Sequence, residues 1–295
     1  MLRIEDLAEL AQRYGEELRA SVREFTIGGR LFSFNHHSAL MGVINLSPDS
    51  WYRESICLSV EQAVQRGRIL RDQGADLIDI GAESTLVYAA HVEPRDQSQV
   101  LLPVIRDLKA ENILVSVEVY DPSVAKQCLM AGAQVLNLTG TEHAEAMFRL
   151  AAEFEATIIL CYLQGLNARE VGDFEMPADP VALLRAYFSR YLDLADRCGL
   201  NRILIDPGMG FYYRNMQDGP RRVQYQMKTL LNSFRLRSLG VPICQALPHA
   251  FEFFGEEVRS AESLFAVLAS LGKTSLFRTH EVPKVRAVLR SLEAF

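Results

Sequence analysis

Eight short apolar runs in the chain end on, or just beyond, polar side chains. In order these are Asn45, Asp79 with Glu83, Glu118, Asn137, Tyr162 with Gln164, Asp206, Gln245, and Arg278 with His280. A strand buried on both faces should read as unbroken Val, Ile and Leu, so a polar group delivered at the end of nearly every run implies a shared rim. Amides and carboxylates such as Asn137 and Asp206 suit a flat heterocycle with adjacent donors and acceptors. Arg278, His280 and Asn45 suit an anion or the metal that accompanies it. Taken singly, each of these residues also has a plainer role, because Asn and Asp often close the turns at strand ends.

Other chemistries find no support. The six histidines (His36, His37, His91, His143, His249, His280) have no metal-ligand spacing, and the five cysteines never form C-x-x-C. Neither a structural zinc nor a disulfide framework is expected, and the cysteines read as reduced, mostly core thiols. A net charge of −6, spread along the chain, offers no basic block for nucleic acid. No apolar stretch is long enough to span a membrane, and the acidic amphipathic start does not resemble a signal sequence, so a cytoplasmic protein is expected. No Gly-rich phosphate loop follows the seventh or eighth run, which leaves side chains to hold any phosphate.

The runs are ALMGVINL (39–46), ADLIDIG (75–81), ILVSVEV (113–119), AQVLNLT (133–139), TIILCYL (157–163), RILIDPG (202–208), VPICQAL (241–247) and TSLFRTH (274–280). Amphipathic stretches alternate with them, which predicts an α/β fold, a (β/α)8 TIM barrel. Local signals agree: Ser59 with Gln62 forms a capping box, Asp121-Pro122 opens a helix, and Gly74, Gly132 and Gly199 close others. The longest connections (47–58, 81–95, 164–178, 209–219) all follow strands, the side on which such barrels build active sites. Ahead of the barrel (38–295), residues 1–37 read as a helix over 3–23 and a hairpin over 25–34 turning at Gly28-Gly29, an extension packed on the barrel.

Four segments together resemble dihydropteroate synthase, the folate-pathway transferase that joins a pterin to 4-aminobenzoate: MGVINLSPDSW (41–51), GADLIDIGAEST (74–85), LIDPGMGF (204–211) and RTHEV (278–282). The resemblance runs from about residue 38 to the end. It implies that Asn45 lies near the diphosphate and its Mg2+, as a metal ligand, and that Arg278 and His280 meet the leaving diphosphate. It assigns Asn137, Asp206, Glu118 and Gln164 to the pterin, and makes Asp49, Ser84, Thr85, Arg214 and His249 candidate loop contacts. The implied partners are a pterin diphosphate and 4-aminobenzoate, with a homodimer as the candidate assembly. The implied chemistry is displacement of diphosphate from a pterin CH2 carbon by an aniline nitrogen, without a covalent enzyme intermediate.

The chain departs from that family at several positions. Pro248-His249-Ala250 stands where the family has Ser-Arg-Lys, and Lys273 lies toward the opposite face of the barrel. Glu118-Val119 replaces Asp-Thr, Asn137-Leu138 replaces Asn-Asp, and Cys161-Tyr162-Leu163 replaces Met-His-Met. Leu86-Val87-Tyr88 follows Glu-Ser-Thr where Arg-Pro-Gly is usual, Arg53-Glu54-Ser55 replaces Asp-Gly-Gly, and Tyr213 stands for a Lys. Arg53, Arg214 and His249 are candidate replacement cations. Three readings follow: a divergent synthase, a non-catalytic pterin-binding paralogue, and a methyltransferase-type pterin domain.

Overall fold

The computed structural model describes residues 2–47, 49, 52–83, 91–168, 170, 172–174, 176–211, 213 and 219–295. The hairpin forms as expected, from β1 (Phe25–Ile27) and β2 (Arg30–Phe32). Its two-residue turn places Gly28 at φ +55° and Gly29 at φ +84°, left-handed conformations that glycine adopts without steric cost.

Each of the eight runs then contributes a strand: β3 (Ala39–Asn45), β4 (Leu77–Gly81), β5 (Val115–Val119), β6 (Val135–Leu138), β7 (Thr157–Cys161), β8 (Ile203–Asp206), β9 (Cys244–Ala246) and β10 (Leu276–Thr279). They pair in parallel in the order β8-β7-β6-β5-β4-β3-β10-β9. A bridge between Ile205 and Ile243, with the Ile205 amide donating to Pro242 O at 3.1 Å, brings the two edges together into a barrel. Helices cover the outside and their caps form, although the box expected at Ser59 is only half made, because the Gln62 side chain accepts from the Leu58 amide at 3.0 Å and not from the Ser59 amide. Ser59 Oγ accepts from the Gln62 amide, Asp121 accepts from the Ser123 and Val124 amides, and Gly74 and Gly132 end their helices at positive φ.

Side chains alternate across each strand, which decides what faces the barrel axis. Met41, Leu77, Val135, Ile159, Leu204 and Leu276 form an inner apolar layer near the strand starts, and the hairpin residues Phe25, Ile27, Phe32 and Phe34 pack into the same cluster. Two residues further along come Val43, Asp79, Asn137, Cys161, Asp206 and Arg278, with Ala246 two beyond Cys244 of the same floor. Alternation therefore stacks a polar layer on an apolar floor, and the hairpin supports that floor from below. Arg237 ties the extension down, donating to Ala20 O at 3.0 Å and to Asn35 Oδ1 at 2.8 Å.

The single helix expected over 3–23 is instead two, Ile4–Arg13 and Gly15–Arg19, interrupted at Tyr14 (φ −121°, ψ 39°). The Tyr14 ring turns toward Phe234 (6.5 Å, edge-on), with the Arg235 guanidinium 4.0 Å from its centroid. Those tertiary contacts, beside a weak helix former at Gly15, outweigh the helical pattern. All five cysteines are free thiols and four are buried. Among the described residues no helix is long and apolar enough to cross a membrane.

Because Phe32 is 5% exposed in the cluster beneath the barrel, Phe32→Ala is expected to lower the unfolding free energy by about 3 kcal/mol. Urea denaturation followed by circular dichroism measures this.

Candidate active site

The polar layer is organised around Asp79, fully buried on β4. Its Oδ1 accepts from Ser116 Oγ at 2.6 Å, and its Oδ2 accepts from Asn137 Nδ2 at 3.1 Å and Arg278 Nε at 2.7 Å. Arg278 extends further, its Nη2 donating to Glu118 Oε2 at 2.8 Å. Burial alone would lower the guanidinium pKa, but Asp79 and Glu118 outweigh it and the pKa is raised. Burial drives the Glu118 carboxyl well above the ordinary carboxylate range, with Arg278 opposing and Asp79 and Glu83 adding to the push. Cys161 completes the layer. Burial and then the negative charge of Asp206 raise its pKa, so it stays a thiol whose Sγ contacts Asn137 Oδ1 at 3.3 Å.

Asp206 closes the opposite side. Its Oδ1 accepts from the Gly208 amide at 2.7 Å and its Oδ2 from the Ala246 amide at 3.2 Å. Gly208 is required there: it sits at φ +76°, and a Cβ would lie 2.0 Å from Tyr162 O. Burial raises the Asp206 pKa to about 6, against the pull of those two amides. Glu118, Asn137, Thr139, Cys161, Asp206 and Arg278 line a chamber at the C-terminal mouth of the barrel, walled by Phe211 and Ala246.

A second chamber adjoins it, sharing Gly210, Phe211, Ala246 and Arg278, and adding Arg222, Leu247, Pro248, His249 and His280 among its lining. His280 is held from behind by Glu262, a buried carboxylate on the helix Ala261–Leu271. Glu262 accepts from Thr279 Oγ1 and from the His280 amide at 3.2 Å, and lies 3.1 Å from His280 Nδ1. A carboxylate already collecting donors places the ring proton on Nδ1 and leaves Nε2 on the opposite edge of the ring. Tyr52, from the loop after β3, stacks on the imidazole at 4.3 Å and donates its hydroxyl to Glu281.

With that geometry in view, comparison with known proteins is direct. The pterin-binding enzyme family profile matches residues 41–246. A dihydropteroate synthase from Streptococcus pyogenes is 31% identical over 215 residues, covering 72% of this chain and 75% of the relative. The chain belongs to the dihydropteroate synthase family. A bifunctional folylpolyglutamate synthase/dihydropteroate synthase from Halobacterium salinarum is 31% identical over 96% of this chain, which spans only 35% of that relative's length. The solved dihydropteroate synthase of Xanthomonas albilineans with 4-aminobenzoic acid superposes with TM-score 0.77 at 27% identity, covering 93% of this chain and 98% of that one.

Among the residues singled out by this family's pattern, Glu118, Asn137, Asp206 and Arg278 converge on the first chamber, and Arg278, His280 and His249 on the second. Glu118 does so with its carboxylate on Arg278. Asn45 stands at the end of β3, where its Nδ2 donates to Ser55 Oγ at 2.5 Å and so also closes the loop. Gln164 is engaged by two tyrosines, its Nε2 donating to Tyr162 Oη at 2.8 Å and its amide to Tyr213 Oη at 3.1 Å. Asp49 lies in the same loop as Tyr52, and its amide donates to Ser47 Oγ at 3.3 Å. Ser84, Thr85 and Arg214 lie outside the described residues.

Two of the candidate replacement cations, His249 and Arg53, lie among the described residues. Burial, then the neighbouring Arg222, lower the His249 pKa to about 4, so its ring is neutral near pH 7. Arg53 points to solvent. Conversely, Asp79 as hub, Glu262 behind His280, and Arg222 were not assigned from sequence. Asp79 was visible as one of the strand-end polar residues, whereas Glu262 and Arg222 lie on helices with no local signal.

The Asp206 folded pKa exceeds its ordinary 3.8, so its ionised form is disfavoured by folding. Its contribution to stability is full below 3.8 and is lost as pH rises through about 6. A 13C NMR titration is expected to place the Asp206 carboxyl midpoint near pH 6; a midpoint near 4 would contradict the burial argument.

Proposed function

We propose that this chain is a working dihydropteroate synthase, condensing 6-hydroxymethyl-7,8-dihydropterin diphosphate with 4-aminobenzoate and releasing diphosphate. The observation that carries this reading is the joining of the two chambers at Arg278: one is lined by carboxylates and an amide, the other brings Arg278 and His280 together. A pterin edge, with adjacent N–H donors and a carbonyl, matches Asp206 and Asn137 in the first chamber. Arg278 offers a fixed positive charge, and His280 a ring nitrogen, where charge appears on the departing phosphate.

In the reaction the aniline nitrogen lone pair forms a bond to the pterin CH2 carbon as the carbon–oxygen bond to diphosphate breaks. The bonding electrons leave with the diphosphate, and the nitrogen gives up a proton to solvent. Arg278 presents a fixed cation to the leaving group, and Glu262 holds the His280 ring so that Nε2 can donate or accept a proton there. The buried acceptors Asp206 and Asn137 hold the heterocycle, and the walls at Phe211, Leu247 and Pro248 limit water.

Mg2+ fits as a companion of the substrate. Among the described residues no three carboxylate, histidine or cysteine side chains converge on a metal-sized site. A magnesium ion carried by phosphate oxygens needs only one or two protein ligands, and Asn45, whose Nδ2 is spent on Ser55, has its carbonyl oxygen as the remaining side-chain atom. When bound, the ion would supply Lewis-acid stabilisation to the leaving oxygen. Five free thiols accord with a cytoplasmic setting.

Diphosphate release from the pterin diphosphate in the presence of Mg2+ is expected to depend on 4-aminobenzoate and to be abolished in Asp206→Ala. Pterin binding with no release from the wild type would make the chain a non-catalytic paralogue. Glu262→Gln removes a charge-assisted bond to His280 worth roughly 1.5–3 kcal/mol, so kcat is expected to fall about ten- to a hundredfold. The KM for the pterin diphosphate should stay unchanged in the same steady-state assay.

A further inference from the structure

The family's cationic segment after the seventh barrel strand is replaced here by Pro248-His249-Ala250, yet a cation reaches the same place from the neighbouring helix. Arg222 sits in the first turn of the helix Gly219–Asn232 and is 6% exposed. Its Nη1 donates to His249 O at 3.3 Å, within the replacement segment itself, and its side chain lines the second chamber. We propose, on the synthase reading above, that Arg222 recognises the carboxylate of the acidic arylamine substrate and so sets specificity for that substrate.

Three observations support this. First, the second chamber holds Arg222, Arg278, His249 and His280, with no carboxylate among its described lining residues. Arg278 is committed to Asp79 and Glu118, and His249 is neutral, which leaves Arg222 as the cation not consumed by the barrel floor. Second, Met209, Phe211, Leu247 and Pro248 give the chamber apolar walls suited to the face of a benzene ring, and the polar Gln226 beside them donates its amide to Met209 O at 3.0 Å. Third, the resident partner of Arg222 is loosely matched. Glu252 places both oxygens 2.8 Å from the single nitrogen Nη2, not in the parallel two-nitrogen pairing a guanidinium favours, and its side chain is 33% exposed against 7% for Arg222. Solvent therefore screens the acid more than the base, and the guanidinium retains attraction for a carboxylate entering from the chamber side.

The rival role for Arg222 is a strut that merely positions residues 248–252. Charge recognition and strutting separate when two amines are compared, 4-aminobenzoate and the uncharged 4-aminobenzamide. In Arg222→Gln, the KM for 4-aminobenzoate is expected to rise about tenfold or more, as for loss of a charged hydrogen bond. The KM for 4-aminobenzamide and for the pterin diphosphate should change little. Arg222→Lys should recover part of the preference. An equal loss with both amines overturns the proposal in favour of the strut. If Arg222→Gln does not fold, judged by its thermal melt, Arg222→Lys is read in the same way, and an unchanged ratio of the two KM values overturns the proposal. If the wild type releases no diphosphate with either amine, the synthase reading fails. Calorimetric titration of 4-aminobenzoate onto the pterin-loaded wild type and Arg222→Gln then decides the Arg222 proposal by itself: weaker binding in the variant supports it, and equal or absent binding overturns it.

Discussion

The contact between Asp79 and Arg278 is the constraint on which the mouth of the barrel depends. A buried ion pair is costly to desolvate and holds only when its remaining donors and acceptors are also matched. Here they are: Asp79 takes Ser116, Asn137 and Arg278, and Arg278 spans to Glu118. Four strands, β4, β5, β6 and β10, are thereby cross-linked through side chains at one level of the barrel. The same bonds fix the orientation of Asn137 and Arg278, the groups that face the chamber.

Charge balance follows from that arrangement. Asp79 and Glu118 compete for one guanidinium in a place where water cannot help, and the balance is met by raising the Glu118 pKa. Asp206, held by two backbone amides and the Cys244 thiol, is the acceptor least committed to protein cations. The layer thus separates a carboxylate suited to a ligand's N–H groups from carboxylates used to hold Arg278. Beyond it, Glu262 and Tyr52 hold His280 between a buried acid and an aromatic face. On the proposed function, binding, leaving-group stabilisation and specificity would be distributed over these neighbouring side chains, without a cation from the altered segment after β9.

Much of this was legible before any coordinates. Eight apolar runs with polar tips specify parallel strands facing one rim, because only a strand buried on both faces tolerates so few polar residues and places them so consistently. Asn137, Asp206, Arg278 and His280 were legible for the same reason. What the pattern could not carry was pairing across the barrel. Glu118 reads as one more acceptor at a strand end, but its extra methylene lets it reach Arg278, a residue 160 positions away. Glu262 and Arg222 lie on helices, where a buried charge looks like any amphipathic residue until the partner strand is in place. The break at Tyr14 has the same origin, since its cause is an arginine and an aromatic ring more than 200 residues distant.

The most direct test of the hub is calorimetric binding of 6-hydroxymethyl-7,8-dihydropterin diphosphate to wild type and to Asp79→Asn, each checked for folding by its thermal melt. An amide at position 79 keeps an oxygen for Asn137 and Arg278 but removes the negative charge that balances the buried guanidinium, and losing a hydrogen bond between charged groups costs about 1.5–3 kcal/mol. The expected result is a folded variant with affinity about tenfold or more weaker. A folded variant with unchanged affinity would contradict the claim that the Asp79–Arg278 contact organises the site.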